Sequence, residues 1–242
     1  MPLIRPRTAV PAVAALALVA SGLGLQAFRS RDGAAIASAL ASELASELDP
    51  VPTRALARPH GTLAYDDRGE GPLVVLAPGL GDLRQSYRFL APRLADAGYR
   101  VVTVDLRGHG ASSAGWPSYR SEDVAGDLLA LVAELDAGPA VLVGNSFSAG
   151  ATVLAAAERP DSVAGLALVG PFVRDHETPA WKRWVLGAML HGPWKVRAWT
   201  SFHATLFPAA KPDDYDLYRR ALRASFAEPG RFVAVQAMVD RS

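Results

Sequence analysis

The chain has no cysteine, so it can form neither a disulfide bond nor a thiolate metal site. This absence agrees with export from the cytoplasm but does not require it. Excess charge is also absent: 25 basic and 24 acidic residues leave a formal charge of +1, and the basic residues are scattered, so we expect no nucleic-acid partner. The five histidines include no pair at metal-ligand spacing, and no G-x-G-x-x-G motif follows an apolar run. We therefore infer no metal and no cofactor.

One uncharged run, residues 8–28, is rich in alanine and leucine and is long enough to span a bilayer. Arginines flank it on both sides. Three interpretations of residues 1–28 remain open: a signal anchor, a cleaved export signal with its cleavage site near residues 20–22, or an early start at Met1 that leaves the run untranslated. The first two make the membrane a partner or place the protein outside the cytoplasm. The third leaves it cytoplasmic.

Residues 29–59 form the expected connection to the rest of the chain. Apolar side chains recur every four residues in an Ala/Ser/Glu background, which predicts a short amphipathic helix that serves as a spacer or packs loosely on the core. These side chains are Ile36, Leu40, Leu44 and Leu48. The prolines that follow, Pro50, Pro52 and Pro59, predict an extended linker. The first strand of the core is expected at residues 62–65.

Residues 60–172 alternate short apolar runs with helical stretches, which is the pattern of a mostly parallel α/β sheet. Four continuous apolar or β-branched runs predict strands buried on both faces: residues 73–77, 100–104, 140–143 and 163–169. The clearest helix is expected to begin with Ser121 as N-cap and to stop at Gly138. After the leader and spacer, about 180 residues remain, which is enough for one domain.

The segment Gly-Asn-Ser-Phe-Ser at residues 144–148 lies between an apolar run and a small, helix-compatible run. This is the strand, sharp turn and helix context of a nucleophile elbow, in which a strained serine needs small neighbours two positions away on each side. Gly144 and Ser148 are both small, although glycine is usual at the second place. Ser146 is therefore the candidate nucleophile.

Three segments together resemble the α/β-hydrolase family. They are LAPGLGD at residues 76–82, DLRGHGAS at 105–112, and the elbow at 144–148, and they are spaced as in that family. The match extends over residues 61–172 and is similar to the small capped serine esterases and perhydrolase-like enzymes. The resemblance implies an α/β-hydrolase fold with a helical cap above the site.

The resemblance also implies acyl transfer, in which Ser146 attacks an ester-like carbonyl. Two backbone N–H groups, those of Leu80 and Phe147, would hold the developing oxyanion. In the family turn at residues 105–112, Asp105, Arg107 and His109 would be structural rather than catalytic.

The acid and base of the family triad, which follow later strands, are not evident in the sequence. One possibility is Asp175 as the acid, with a cap histidine as base; the candidates are His176, His191 and His203. The other is that the chain is truncated near the end of its cap, since residues 231–238 predict the helix that precedes a missing strand. Roughly fifty to sixty more residues would then complete the domain and cover an otherwise exposed apolar sheet edge.

Residues 173–242 are expected to form the cap, and they hold most of the tryptophans. Aromatic residues of a cap line the roof of an acyl-binding pocket, which favours a small apolar acyl or ester substrate. Two function classes follow: a serine hydrolase, or a non-catalytic hydrolase-fold protein that binds a ligand or serves as a scaffold. They differ in whether the chain can activate Ser146.

Overall fold

The computed structural model describes residues 31–171, 185, 187–207 and 210–240 of the 242-residue chain. Within these residues, one six-stranded sheet has the order β1-β2-β4-β3-β5-β6. Its strands are β1 (Thr53–Arg58), β2 (Gly61–Arg68), β3 (Leu73–Ala77), β4 (Arg100–Val104), β5 (Ala140–Asn145) and β6 (Val163–Val169). The β1–β2 and β2–β4 pairs are antiparallel, whereas the β4–β3, β3–β5 and β5–β6 pairs are parallel. The mostly parallel α/β fold is confirmed.

Helices connect the parallel strands and continue after the sheet. In chain order they are α1 (Arg31–Leu48), α2 (Leu90–Asp96), α3 (Ser121–Leu135), α4 (Phe147–Glu158), α5 (Lys195–Thr205), α6 (Tyr215–Ala227) and α7 (Arg231–Asp240). Single 3₁₀ turns lie at Arg84–Tyr87 and Pro160–Ser162. The helix expected at residues 231–238 is confirmed as α7.

The predicted start of α3 is wrong by one residue. Ser121 is the first helical residue, and Arg120 takes the N-cap position. The reason is the carboxylate of Asp123, which accepts hydrogen bonds from the Arg120 backbone N–H (2.9 Å) and from the Ser118 hydroxyl (2.5 Å). The Asp123 side chain thus reaches back from the first turn to the N-cap N–H, which is the acidic half of a capping box.

Strand β3 lies in the middle of the sheet and is buried on both faces. Leu73 and Val75 point into a core shared with α3 and α4, where Leu128 and Ala151 are buried. The intervening residues Val74 and Leu76 point to the opposite face, which α2 covers through Ala91. Because alternate residues of a strand face opposite sides, the continuous apolar run matches a sheet covered by helices on both faces.

Strand β1 corrects the expected linker. Residues 53–58 pair along their whole length with β2, and Arg58 lies opposite Gly61. Pro52 and Pro59 flank the strand, so neither removes a donor from its ladder. The extended backbone is predicted correctly from the prolines, but the segment belongs to the sheet.

Helix α1 is the predicted amphipathic helix, and it packs on α6 rather than loosely on the core. Leu44 is buried there, with Leu40 and Leu48 partly buried beside it. The buried cluster that they join also contains Leu190, Trp199, Tyr218, Leu222, Phe226, Phe232 and Val235. The helix therefore packs in one cluster with α5, α6 and α7. These three helices lie in the segment expected to form the cap and are called the cap below.

Strand β6 is the outer strand on the side of the sheet opposite β1. It exposes the large apolar side chains Leu166 (39%), Leu168 (38%) and Val169 (54%). The apolar run predicts that residues 163–169 are buried on both faces, and for β6 that prediction is wrong. This edge of the sheet therefore presents apolar surface to solvent within the described part of the chain.

Candidate active site

Ser146 occupies the sharp turn between β5 and α4. Its backbone has φ 54° and ψ −115°, and Asp136 is the other described non-glycine residue with a positive φ. Such a conformation costs on the order of 1–3 kcal/mol and is held only where the surroundings enforce it. Here the Ser146 N–H donates to the carbonyl of Val169 on β6 (2.8 Å), and the Ser146 carbonyl accepts from the Ala149 N–H (3.1 Å). The strand–turn–helix geometry of the predicted elbow is present.

Gly144 supplies the space that the elbow needs at its first small position. A Cβ atom there would lie 2.6 Å from the Cα of Ala149 and 2.7 Å from the carbonyl oxygen of Ser148. Both are backbone atoms and cannot rotate away. Glycine is therefore required by the close approach of α4 to the end of β5.

Ser148, at the second small position, has a use that glycine would lack. Its side chain is fully buried, and its hydroxyl donates to the carbonyl of Pro78. This hydrogen bond ties the first turn of α4 to the loop that follows β3. The departure from glycine thus links the elbow to the expected oxyanion loop.

That oxyanion loop, residues 78–82, lies directly beside Ser146. A Cβ atom on Gly79 would be 3.5 Å from the Cβ of Ser146, and the Asp82 N–H donates to the Gly79 carbonyl (3.2 Å). Leu80 lies inside this turn, and Phe147 is the first residue of α4, where a backbone N–H has no carbonyl partner within the helix. The structure brings the loop and the elbow together. The donor roles of Leu80 and Phe147 remain predictions.

His109 is completely buried and supports the oxyanion loop. Its Nε2 accepts a hydrogen bond from the Gly81 N–H (3.0 Å), and its Nδ1 lies 3.0 Å from the Arg107 carbonyl, to which it donates. These two partners assign the neutral tautomer with the proton on Nδ1. Burial lowers the pKa of His109, which keeps the ring neutral. The contacts match the structural role that the resemblance implies.

Replacing His109 with glutamine should flatten the loss of stability in acid. In the unfolded chain the ring has a pKa of about 6.5, and the folded protein lowers it. Below about pH 6.5, His109 therefore binds a proton in the unfolded chain but not in the folded chain. The free energy of unfolding then falls by up to about 1.4 kcal/mol per pH unit. Urea unfolding at about pH 7.5 and about pH 5 would measure this slope. Equal slopes for H109Q and the unaltered chain would contradict the assignment.

Asp105, in the same turn, belongs to a buried charge network that sequence patterns do not reveal. Its carboxylate accepts from the Arg84 N–H (2.8 Å), from the Ala111 N–H (2.9 Å) and from the Arg84 guanidinium. Arg84 also donates through Nε to Asp66 (2.7 Å). Burial alone would lower the pKa of Arg84, but the two carboxylates raise it, so the side chain stays charged. The network fixes the start of the 3₁₀ turn behind the oxyanion loop.

Arg107 fastens the turn to α3. Its Nε donates to Asp127 (2.8 Å), and its terminal nitrogens donate to the carbonyls of Ser118 (2.9 Å) and Asp123 (3.0 Å). Asp123 and Asp127 lie on α3, and Ser118 lies in the segment just before it. The contacts therefore match the turn-fixing role that the resemblance implies.

Among the described residues, no hydrogen bond joins Ser146 to a histidine. His191 bonds through Nδ1 to the carbonyl of Gly187 (2.9 Å). His203 is buried in the cap with Nε2 3.6 Å from Asp82 Oδ1 and Nδ1 3.3 Å from the Tyr215 hydroxyl. Asp175 and His176 lie outside the described residues. Within the described ranges, the acid and base expected for Ser146 are therefore not assembled.

The cap lies against the oxyanion loop through α5. The indole Nε1 of Trp199 donates to the carbonyl of Gly81 (3.0 Å), and Gly81 has φ 67°. A side chain at Gly81 would collide with the Trp199 ring. Glycine at this place therefore serves both the turn and the seating of the cap.

Other features bear on the expected partners. Among the described residues, no cluster of three or more metal-ligating side chains is found. No helix in the described ranges is both long and apolar enough to cross a bilayer, and the run at residues 8–28 lies outside those ranges. Cavities of about 450 and 440 Å³ lie away from Ser146, one beside Arg100 and one between α1 and α6.

Comparison with known proteins gives consistent matches. Residues 72–219 match the model of a family described by the α/β hydrolase fold. A 2-(acetamidomethylene)succinate hydrolase of Mesorhizobium japonicum is 37% identical over 102 residues, which are 42% of this chain and 36% of the relative. An epoxide hydrolase of Caballeronia sordidicola is 35% identical over 127 residues, which are 50% of this chain and 38% of the relative.

Solved structures show the same fold. The crystal structure of a bromoperoxidase from Bacillus anthracis aligns with a TM-score of 0.66 at 22% identity, covering 77% of this chain and 74% of that one. This likeness concerns the fold alone. The chain spans little more than a third of the length of the two curated relatives.

Proposed function

The chain belongs to the α/β-hydrolase fold family, and on this basis we propose that it is a serine hydrolase that acts on ester-like acyl substrates. The observation that carries the proposal is Ser146, held at a strained elbow with the oxyanion loop beside it. The hydrolases among its relatives support the reaction class. The choice of an ester-like substrate rests on the serine and on the two backbone donors proposed for the oxyanion.

In the proposed reaction, the Ser146 hydroxyl oxygen attacks the carbonyl carbon of the substrate and loses its proton to a base. The carbonyl oxygen gains the negative charge and accepts hydrogen bonds from the N–H groups of Leu80 and Phe147. The tetrahedral intermediate then expels the alcohol, which takes up the proton. Water attacks the acyl-enzyme in the same way and releases the acid. Asp175 remains the candidate acid, and a histidine must supply the base.

The packing of the cap near the oxyanion loop is the basis for proposing an apolar acyl group. Trp199 contacts the oxyanion loop. Leu80 packs both against the core shared by the sheet, α3 and α4 and against the buried cluster that α1 joins. Apolar side chains near the reacting carbonyl exclude water and favour an apolar acyl chain over a charged one. We therefore propose short or medium acyl esters as the first substrates to test.

A fluorophosphonate probe tests the proposal, because it labels a serine only when that serine is activated as a nucleophile. We expect intact mass to show one adduct per chain, absent in Ser146→Ala. Ser201→Ala, which removes an exposed serine on α5, is the matched control and should label normally. Equal labelling of the Ser146 variant would exclude Ser146 as the nucleophile.

The second candidate is a non-catalytic hydrolase-fold protein that binds an apolar ligand. One observation favours it: among the described residues, His203 bonds through Nδ1 to the Tyr215 hydroxyl (3.3 Å), has Nε2 3.6 Å from Asp82, and makes no hydrogen bond to Ser146. A folded chain that binds p-nitrophenyl butyrate without hydrolysing it, and that takes up no probe, would support this candidate instead.

A further inference from the structure

Asp82, the last residue of the oxyanion loop, lies where that loop meets the cap helices α5 and α6. Its side chain is 13% exposed, and its Oδ1 accepts a hydrogen bond from the Tyr218 hydroxyl on α6. The same oxygen lies 3.6 Å from Nε2 of His203 on α5. One carboxylate oxygen thus contacts both helices.

Gly81 and Leu83, the residues on either side of Asp82, are held by the same helices. The Leu83 N–H donates both to Asp82 Oδ1 (3.1 Å) and to the Tyr218 hydroxyl (3.2 Å). The Gly81 carbonyl accepts from Trp199, and its N–H donates to His109. Residues 81–83 are therefore bound from the cap on one side and from the family turn on the other.

Tyr218 is suited to be a permanent donor in this cluster. It is buried, and burial together with the negative charge of Asp82 raises the pKa of Tyr218 well above its ordinary value. The guanidinium of Arg88 lies 4.8 Å from the centre of the Tyr218 ring and is itself paired with Asp214 (2.6 Å). Burial and Asp82 outweigh the opposing charge of Arg88, so the hydroxyl keeps its proton at neutral pH and can donate to Asp82.

We propose that Asp82 is a positioning residue that sets the oxyanion hole through the cap. The turn closed by the Asp82 N–H and the Gly79 carbonyl contains Leu80, so a shift of Asp82 moves the Leu80 N–H relative to Ser146. Oxyanion donors act because they are held in place before the charge develops, and displacements of about 1 Å can reduce the rate about a hundredfold. The inference rests on the proposed function, because it assigns Leu80 as a donor.

The test compares Tyr218→Phe with Tyr119→Phe. Each change removes one buried hydroxyl that accepts from a backbone N–H: Tyr218 from Leu83 at 3.2 Å, and Tyr119 from Trp116 at 3.1 Å. Only the first hydroxyl contacts the oxyanion loop. We expect fluorophosphonate labelling of Ser146 to slow about 10- to 100-fold in Tyr218→Phe and to stay within about twofold in Tyr119→Phe.

Hydrogen exchange of peptides covering residues 79–84 gives a second measurement, independent of activity. Exchange should become faster in Tyr218→Phe and stay unchanged in Tyr119→Phe, since only the first loses the cap contact. Asp82→Asn keeps an acceptor for Tyr218 and should fall between the unaltered chain and Asp82→Ala in labelling rate. If Tyr218→Phe fails to fold, Asp82→Asn and Asp82→Ala provide the comparison.

The outcomes separate the two proposals. Slower labelling with faster loop exchange supports the positioning role. Faster exchange with unchanged labelling means that the contact is only structural, and unchanged exchange means that the cap does not hold the loop; either result overturns the inference alone. An unaltered chain that is folded but takes up no probe overturns the proposed function, and the positioning role fails with it, whereas the exchange data still report on the cap contact.

Discussion

Asp105→Ala should lower the free energy of unfolding by about 3–5 kcal/mol, because it removes one partner of a buried ion pair. Asp105 is fully buried and is a partner of the Arg84 guanidinium, which then keeps Asp66 as its ion-pair partner among the described residues. The N–H groups of Arg84 and Ala111 also lose their acceptor, and buried donors without partners are costly. Urea unfolding followed by circular dichroism measures the change.

An ion pair whose arginine lies on the surface, and whose carboxylate keeps a second arginine, Arg100, provides the control. Arg54 pairs with Asp67 at 3.0 Å, but the Arg54 side chain is 57% exposed. Surface pairs contribute about 0–1 kcal/mol, so Arg54→Ala should hardly change the unfolding midpoint. If the unfolding midpoint of Asp105→Ala changes as little as that of Arg54→Ala, the network around Arg84 does not hold the turn.

Gly144→Ala should destabilise the protein by about 3 kcal/mol, at the upper end of the range for overpacked sites, and should remove the reactivity of Ser146. The added methyl group would lie within 2.7 Å of backbone atoms of Ala149 and Ser148, so β5 and α4 must move apart. That movement displaces the turn that holds Ser146. Thermal unfolding and fluorophosphonate labelling of the same preparation report the two effects.

Gly165→Ala is the control for this change. Gly165 lies on the neighbouring strand β6, opposite Val141 of β5, and an added methyl group on Gly165 would meet the Val141 side chain at 3.9 Å. It should unfold within about 1 kcal/mol of the unaltered chain. The steric account of the elbow fails if both alanine variants prove equally stable and equally reactive.

The sheet follows from the sequence wherever a strand is a continuous apolar run. Of the four strands expected from apolar runs, three have the expected bounds and one continues two residues further, to Asn145. The strand expected at residues 62–65 is the longer β2. Strand β1 could not be predicted in this way. Its residues TRALAR bury Leu56 alone and include two arginines, so its place in the sheet depends on the partner strand β2 rather than on its own composition.

In the candidate site, too, local segments could be predicted from the sequence, whereas contacts between distant residues could not. The elbow and the oxyanion loop are short segments whose residues are adjacent in the chain, so local patterns reveal them. Arg84 and Asp105 are 21 positions apart, and Asp82 and Tyr218 are 136 positions apart. Contacts at such separations depend on how the cap and the turn pack. No spacing in the sequence indicates them.

The packing of α1 on α6 gives the N-terminal end of the described chain a mechanical role. α1 contacts the same helix whose Tyr218 bonds to Asp82 at the end of the oxyanion loop. A load applied at residue 31 is therefore borne first by the α1–α6 contact and not by the sheet. If the protein is tethered through its N-terminus, the tether therefore joins the molecule through α1, on the side of α6.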